Sequence, residues 1–179
     1  MTTTRLSQGL IQVYTGDGKG KTTCALGLAL RAVGQGFKVY MVQFMKGSKT
    51  GEVRVVTERL APEMTLRPFG RRDLVNLQAP SPEDLALIRE AWDLARQVIL
   101  AGEHDLIILD EINLALTFQL LPQEEVFQVL RDRPPWVELV LTGRQAPPEL
   151  VAMADLVTEM RAVKHYDAAG MKARRGIEW

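Results

Sequence analysis

The chain has 179 residues, enough for one domain with one substantial core and too few for a second full domain. Its 22 basic and 22 acidic side chains cancel, which argues against a global field for nucleic acid or an anionic membrane, so any polyanion has to be gripped locally. The single cysteine, Cys24, rules out an intramolecular disulfide, and one thiol with two histidines is a poor basis for a closed zinc site.

Residues 1–9 are polar and read as frayed, without the apolar core of a signal peptide, and no apolar run approaches the ~20 residues of a membrane span. A cytoplasmic, unexported protein is the expectation. Residues 10–14 read as a first strand, followed at once by a glycine-rich turn and a helix that starts near Gly20. Ala25, Leu26, Leu28, Ala29, Leu30, Ala32 and Val33 supply that helix's apolar stripe, and Gly34-Gln35-Gly36 ends it. A second strand over 38–44 completes a parallel βαβ unit with a right-handed crossover. Residues 47–82 carry scattered Gly and Pro around one helix (52–60) and one strand (64–69), and read as mobile loops. Ser81-Pro82-Glu83-Asp84 gives an N-cap, a proline at the first helical position and two acids, predicting a helix to about Leu100. The continuous apolar run of 105–111 predicts a fully buried parallel strand. Helices at 112–119 and 122–131, a strand at 137–143, a helix at 147–153 and a strand at 155–160 continue the alternation. The fold class expected is α/β, a three-layer sandwich around a mainly parallel sheet, in one domain.

The segment Thr15-Gly16-Asp17-Gly18-Lys19-Gly20-Lys21-Thr22-Thr23 stands between strand and helix, as a phosphate-binding loop requires. Its glycines let the backbone turn successive N–H groups toward one anion, and the helix adds its positive N-terminal end. Lys21 can reach outer phosphates and Thr22 can ligate magnesium. Thr15 stands where the first glycine of G-x-x-x-x-G-K-[ST] is expected; otherwise the reading is an ordinary strand-to-helix turn. Asp110-Glu111 closes a buried strand at the sheet edge where open α/β sheets place ligands, and serves either as metal ligands or as a helix N-cap. Arg144 brings a guanidinium to that edge or is an ordinary surface residue. Cys24 reads as a small buried residue and Trp92 and Trp136 as core, while His165 is either a base or ligand or, as a lone histidine in a polar segment, neither.

The loop, together with Arg31-Ala32-Val33-Gly34, Val42-Gln43-Phe44-Met45-Lys46-Gly47, Leu109-Asp110-Glu111, Leu141-Thr142-Gly143-Arg144 and the tail 163–179, resembles the ATP:corrinoid adenosyltransferases of bacterial corrinoid synthesis and salvage. The Val-Gln-Phe-x-Lys-Gly segment and the Gly170-x-Lys172-Ala173-x-x-Gly176-Ile177-Glu178 ending are particular to that family. The resemblance implies a P-loop NTPase-like fold and a reaction in which a reduced cobalt(I) corrinoid attacks the 5′-carbon of ATP and expels triphosphate. It implies that Lys21 and the amides of residues 15–23 hold the triphosphate, that Thr22 and Glu111 order magnesium with Asp110 beside them, and that Asp17 lies near the ribose. Arg31 matches a family arginine near the nucleotide. Phe69 stands near the family's Phe and Trp pair, here without the Trp, and is the candidate for the corrinoid face. ATP, magnesium and the corrinoid are the implied ligands, a homodimer and an electron-donating reductase the implied partners. A γ-phosphoryl-transferring ATPase or kinase, with Arg144 as its arginine finger, and a nucleotide-gated corrinoid carrier are the competing readings.

Overall fold

The computed structural model describes residues 5–47, 50–71, 73, 75–166 and 170–178. Six strands, β1 (Ile11–Thr15), β2 (Val39–Phe44), β3 (Met64–Phe69), β4 (Leu106–Asp110), β5 (Glu138–Thr142) and β6 (Leu156–Glu159), form one sheet in the order β3-β2-β4-β5-β1-β6. Every pairing is parallel. This is an α/β sandwich with helices on both faces, as the alternation of elements predicts.

The strand period of two divides the core. Ile11, Val13, Val42, Phe44, Ile107, Leu109, Leu139 and Leu141 pack against α3 (Pro82–Ala101), α4 (Ile112–Thr117), α5 (Gln123–Asp132) and α6 (Pro148–Met153). Tyr14, Val39, Met41, Ile108 and Val140 face the other way, toward α1 (Lys21–Gly34) and α2 (Gly51–Val55), which continues as a wider coil over Val56–Leu60. The same parity sends Gln43, Asp110 and Thr142, the polar ends of three neighbouring strands, to the α1 face. Gln43 and Asp110 stand opposite each other in the register. All three are completely buried.

Two expectations about α1 are corrected. Only Ala25 and Ala29 among its apolar residues are fully buried, and Leu30 is 60% exposed. Cys24 is exposed, not buried, because it stands one residue, or about 100°, before the Ala25 position that faces the sheet. The helix expected over 52–60 changes pitch after Val55, where the Ala61 N–H donates to the Val56 carbonyl, five residues back. The first helix after β4 stops at Thr117 rather than at 119, where Gln119 takes φ +54°.

At α3, the Ser81 hydroxyl accepts from the Asp84 N–H at 3.1 Å while the Asp84 carboxylate accepts from the Ser81 N–H, a reciprocal capping box. Arg71 adds two bonds of 2.9 Å to the same carboxylate. The Arg71 hydrogen bonds, with those from Ser81, pull the Asp84 pKa from 3.8 down to about 2. A folded pKa below the unfolded one stabilises above pH ~4 and is lost as pH falls toward 2. The urea midpoint is therefore expected to fall more steeply between pH 4 and pH 2 in the native chain than in Asp84→Asn, and parallel slopes would refute that linkage.

Candidate functional site

The loop after β1 is held in shape by its neighbours. Gly16 takes φ +93° and Gly20 φ +123°, conformations that side-chain-bearing residues rarely adopt. The Gly18 N–H donates to the Met160 carbonyl at 2.7 Å, and the Met160 N–H returns a bond to Thr15 at 2.8 Å, so the residue after β6 clamps the loop. A Cβ on Gly16 would stand 2.5 Å from the Met160 carbonyl oxygen. Gly16→Ala is expected to destabilise the fold by about 1–3 kcal/mol and to weaken ATP binding together with it; urea titration and calorimetry check both, and native values would contradict the clamp.

No side chain among the described residues caps α1, and no acid stands in its first turn. Its first amides therefore face the cavity with the helix's positive end, an arrangement that suits an anion. The Lys21 ammonium folds back onto the loop, donating to the Gly16 carbonyl at 2.7 Å and the Gly18 carbonyl at 2.8 Å. Burial lowers its pKa, and the carboxylate of Glu111 opposes that shift.

Behind the loop, Asp110 gathers four donors. Its Oδ1 accepts from the Thr22 hydroxyl at 2.9 Å and the Thr142 hydroxyl at 2.6 Å. Its Oδ2 accepts from the Lys46 ammonium at 2.6 Å and the Gln43 amide at 3.2 Å. Lys46 also donates to the Thr22 hydroxyl oxygen at 3.0 Å. Burial acts to lower the Lys46 pKa, but the charge and hydrogen bond of Asp110 outweigh it and leave the pKa raised. Glu111 takes φ +68°, turning the chain out of the sheet, with its N–H held by the Thr142 hydroxyl. Burial, then the neighbouring Asp110 charge, raises its pKa against the pull of Lys46, Lys21 and Arg144.

Lys21, Thr22, Lys46 and Glu111 line one cavity of about 770 Å³, within the range of small-ligand sites, with Gln43, Asp110 and Thr142 buried directly behind them. Asp17, Lys19, Thr23, Glu111 and Arg144 reach it from the loop and the strand ends. The C-terminal segment roofs it with His165, Tyr166, Met171, Ala173, Ile177 and Glu178. There the Tyr166 hydroxyl donates to Glu178, Arg174 grips the same carboxylate, and Lys19 donates to the Ile177 carbonyl at 3.3 Å. Val75 and Leu77 add apolar wall from the β3–α3 connection. Tail residues 167–169 and 179, like Arg72 beside the expected corrinoid face, lie outside the described residues.

Lys21, Thr22, Asp110 and Glu111 are thus brought together, with the loop around them. Thr15 and Gly16 do not line the cavity; the Thr15 hydroxyl accepts from the Ala146 N–H at 3.0 Å and so braces the start of the loop. Arg31 and Phe69 are not brought to the cavity. Arg31 stands in the last turn of α1 and lines a separate groove with Leu28 and Phe37. Phe69 pairs in register with Phe44, shares its parity and is buried against the α3 side, 6% exposed. Reasoning from motifs also passed over Gln43, Lys46 and Thr142 as site residues. The signal for Gln43 and Thr142 was a polar residue at the end of an otherwise apolar strand.

Magnesium fits this donor set. The oxygens of Thr22 and Asp110 are 2.9 Å apart, both hard donors, and an ammonium already bridges them as a cation would. The buried Gln43 Oε1 has no partner among the described residues, leaving an acceptor for a metal-bound water. No cluster of three or more His, Cys, Asp or Glu is present among the described residues, so an ion here would share its coordination with ligand phosphates.

A family model described as ATP:corrinoid adenosyltransferase BtuR/CobO/CobP matches residues 7–179. A corrinoid adenosyltransferase of Escherichia coli K12 is 39% identical over 173 residues, which cover 96% of this chain and 86% of that one. One from Pseudomonas aeruginosa is 36% identical over 175 residues, covering 98% and 86%. The crystal structure of the flagellar accessory protein FlaH from Methanocaldococcus jannaschii aligns over 86% of this chain and 72% of its own with a TM-score of 0.56. At 13% identity that likeness is one of fold alone.

Proposed function

Because the chain belongs to the ATP:corrinoid adenosyltransferase family, we propose that it transfers the 5′-deoxyadenosyl group of ATP to the cobalt(I) of a reduced corrinoid in adenosylcobalamin synthesis or salvage. The cobalt–carbon bond forms as the bond from C5′ to the triphosphate oxygen breaks, with the cobalt electron pair as nucleophile. The observation that carries this reading is that a phosphate cradle and an apolar wall share one cavity. A triphosphate set on the loop leaves its nucleoside end free to point toward Val75, Leu77, Met171 and Ile177, where a macrocycle face can pack.

The protein's contribution is then position and charge. The amides of residues 16–22 and the N-terminus of α1 hold the triphosphate, and Lys21 leaves its two carbonyl partners for the outer phosphates. Thr22 and Asp110, with Glu111 beside them, would hold magnesium, which would supply added positive charge beside the triphosphate. Asp17, at the cavity rim, faces the ribose. No protein nucleophile is needed, since the corrinoid brings its own. The roof formed by His165, Tyr166, Met171, Ala173, Ile177 and Glu178 keeps water from the reaction.

We assign the protein to the cytoplasm as a homodimer that receives its corrinoid reduced by a separate reductase. None of its helices is long and apolar enough, among the described residues, to cross a membrane. Phosphorus NMR of an anaerobic reaction tests the reaction class: tripolyphosphate as the sole new phosphorus species is expected, whereas ADP and inorganic phosphate would replace this reading by γ-phosphoryl transfer.

A further inference from the structure

We propose that Lys46 is a tethered counter-cation that makes divalent-metal binding conditional on nucleotide. The inference rests on reading this cavity as the metal–ATP site. Its ammonium lies 2.6 Å from Asp110 Oδ2 and 3.0 Å from Thr22 Oγ1, touching both side chains that a metal ion would bridge. A magnesium ion needs oxygens at about 2.0–2.1 Å, so it and the ammonium cannot both occupy this space. Two cations so close would repel strongly in a partly buried setting.

The rest of the geometry separates a fixed backbone from a movable tip. Met45 takes φ +56° just after β2, and Gly70 packs so tightly beside it that a Cβ there would stand 2.4 Å from the Lys46 backbone nitrogen. The side chain is 26% exposed and opens onto the cavity, so its four-carbon stem has somewhere to go. Asp110 has no such freedom: it is completely buried and held by Thr142 and Gln43 whatever Lys46 does. Without nucleotide, a metal ion from solution has to displace a cation that is covalently tethered next to its site. With a triphosphate on the loop, the phosphates supply metal ligands and also offer the displaced ammonium a new anion. Nucleotide and metal thereby bind with positive coupling, and Lys46 acts as a positioning residue that passes from the carboxylate to the phosphates.

A purely structural ion pair predicts something different: loss of Lys46 would affect stability and leave metal affinity unmoved. Mn²⁺ titration followed by electron paramagnetic resonance distinguishes the two, without any corrinoid present. Lys46→Met is expected to bind Mn²⁺ at least about tenfold more tightly than the native chain when nucleotide is absent, with a smaller gain on adding ATP. Lys46→Gln, which keeps a polar donor but no charge, should behave alike, and Lys46→Arg should stay near native. Circular dichroism establishes that each variant is folded. Native-like Mn²⁺ affinity in folded Lys46→Gln without nucleotide overturns the proposal. Failure of the native chain to gain Mn²⁺ affinity with ATP would instead overturn the metal–ATP assignment on which the proposal stands.

Discussion

Lys21→Ala is expected to lower kcat/KM for adenosyl transfer by about 10²–10³, the loss typical of removing one preorganised donor to a developing negative charge. In the proposed reaction the triphosphate would leave with a full burden of charge, and Lys21 would move onto it by exchanging its bonds to the Gly16 and Gly18 carbonyls. Stability should change little. Burial of the ammonium disfavours its charge and lowers its pKa, so its removal forfeits little net stabilisation even though the Gly18 carbonyl it leaves is buried. Steady-state kinetics beside a thermal melt separate the two effects. A variant with native kcat/KM would show that the triphosphate is held elsewhere, and one that loses activity only by unfolding would show the lysine to be a loop brace.

Asp110→Ala is expected to strike both stability and function. The substitution leaves the Thr22 and Thr142 hydroxyls, the Gln43 amide and the Lys46 ammonium without the carboxylate that gathers them. Three of those donors sit on neighbouring strands or at the head of α1, so the loss loosens the joint between sheet and helix that shapes the loop. Removing one partner of a buried ion pair costs about 3–5 kcal/mol. Because the Lys46 tip is a quarter exposed and can rehydrate, about 2–4 kcal/mol is expected here. Magnesium-dependent ATP binding should fall with it, since the proposed metal ligand and the partner that orients Thr22 are lost together. Urea unfolding checks the first figure and calorimetry with Mg-ATP the second; a loss under about 0.5 kcal/mol would mean that water replaces the carboxylate at little cost.

The sheet was legible because its strands advertise themselves by period and by run length. β4 reads as buried on both sides from Leu106-Ile107-Ile108-Leu109, and the Ser81 box marks the start of α3 to the residue. The glycine-rich turn was legible because its residue types lie together within residues 15–23, whereas the Met160 clamp that holds it was not. What escaped depends on distance along the chain. Lys46 meets Asp110 across 64 residues, and a lysine at the end of a strand looks like any solvated one until the partner strand is placed. The tail that carries His165, Tyr166, Met171 and Ile177 into the cavity roof has neither strand nor helix period, so only its resemblance to a family draws notice to it. Phe69 went astray for the reverse reason. Its nearness in sequence to a family aromatic pair suggested a ligand-facing role, while strand parity, fixed by pairing with Phe44, directs it into the core. The exposed Leu30 and Cys24 show the limit of helical stripes: α1 covers the sheet with two alanines, and the flanking apolar residues stay at its margin.

The most direct test of adenosyl transfer follows the carbon itself. The protein is mixed without oxygen with Mg-ATP labelled with ¹³C at the 5′ position and a chemically reduced cobalt(I) corrinoid, and the corrinoid is isolated in the dark and examined by ¹³C NMR. Label bound to cobalt, released by light, and matched mole for mole by triphosphate is the predicted result. Label remaining wholly in adenine nucleotides, with the corrinoid unaltered, would contradict it.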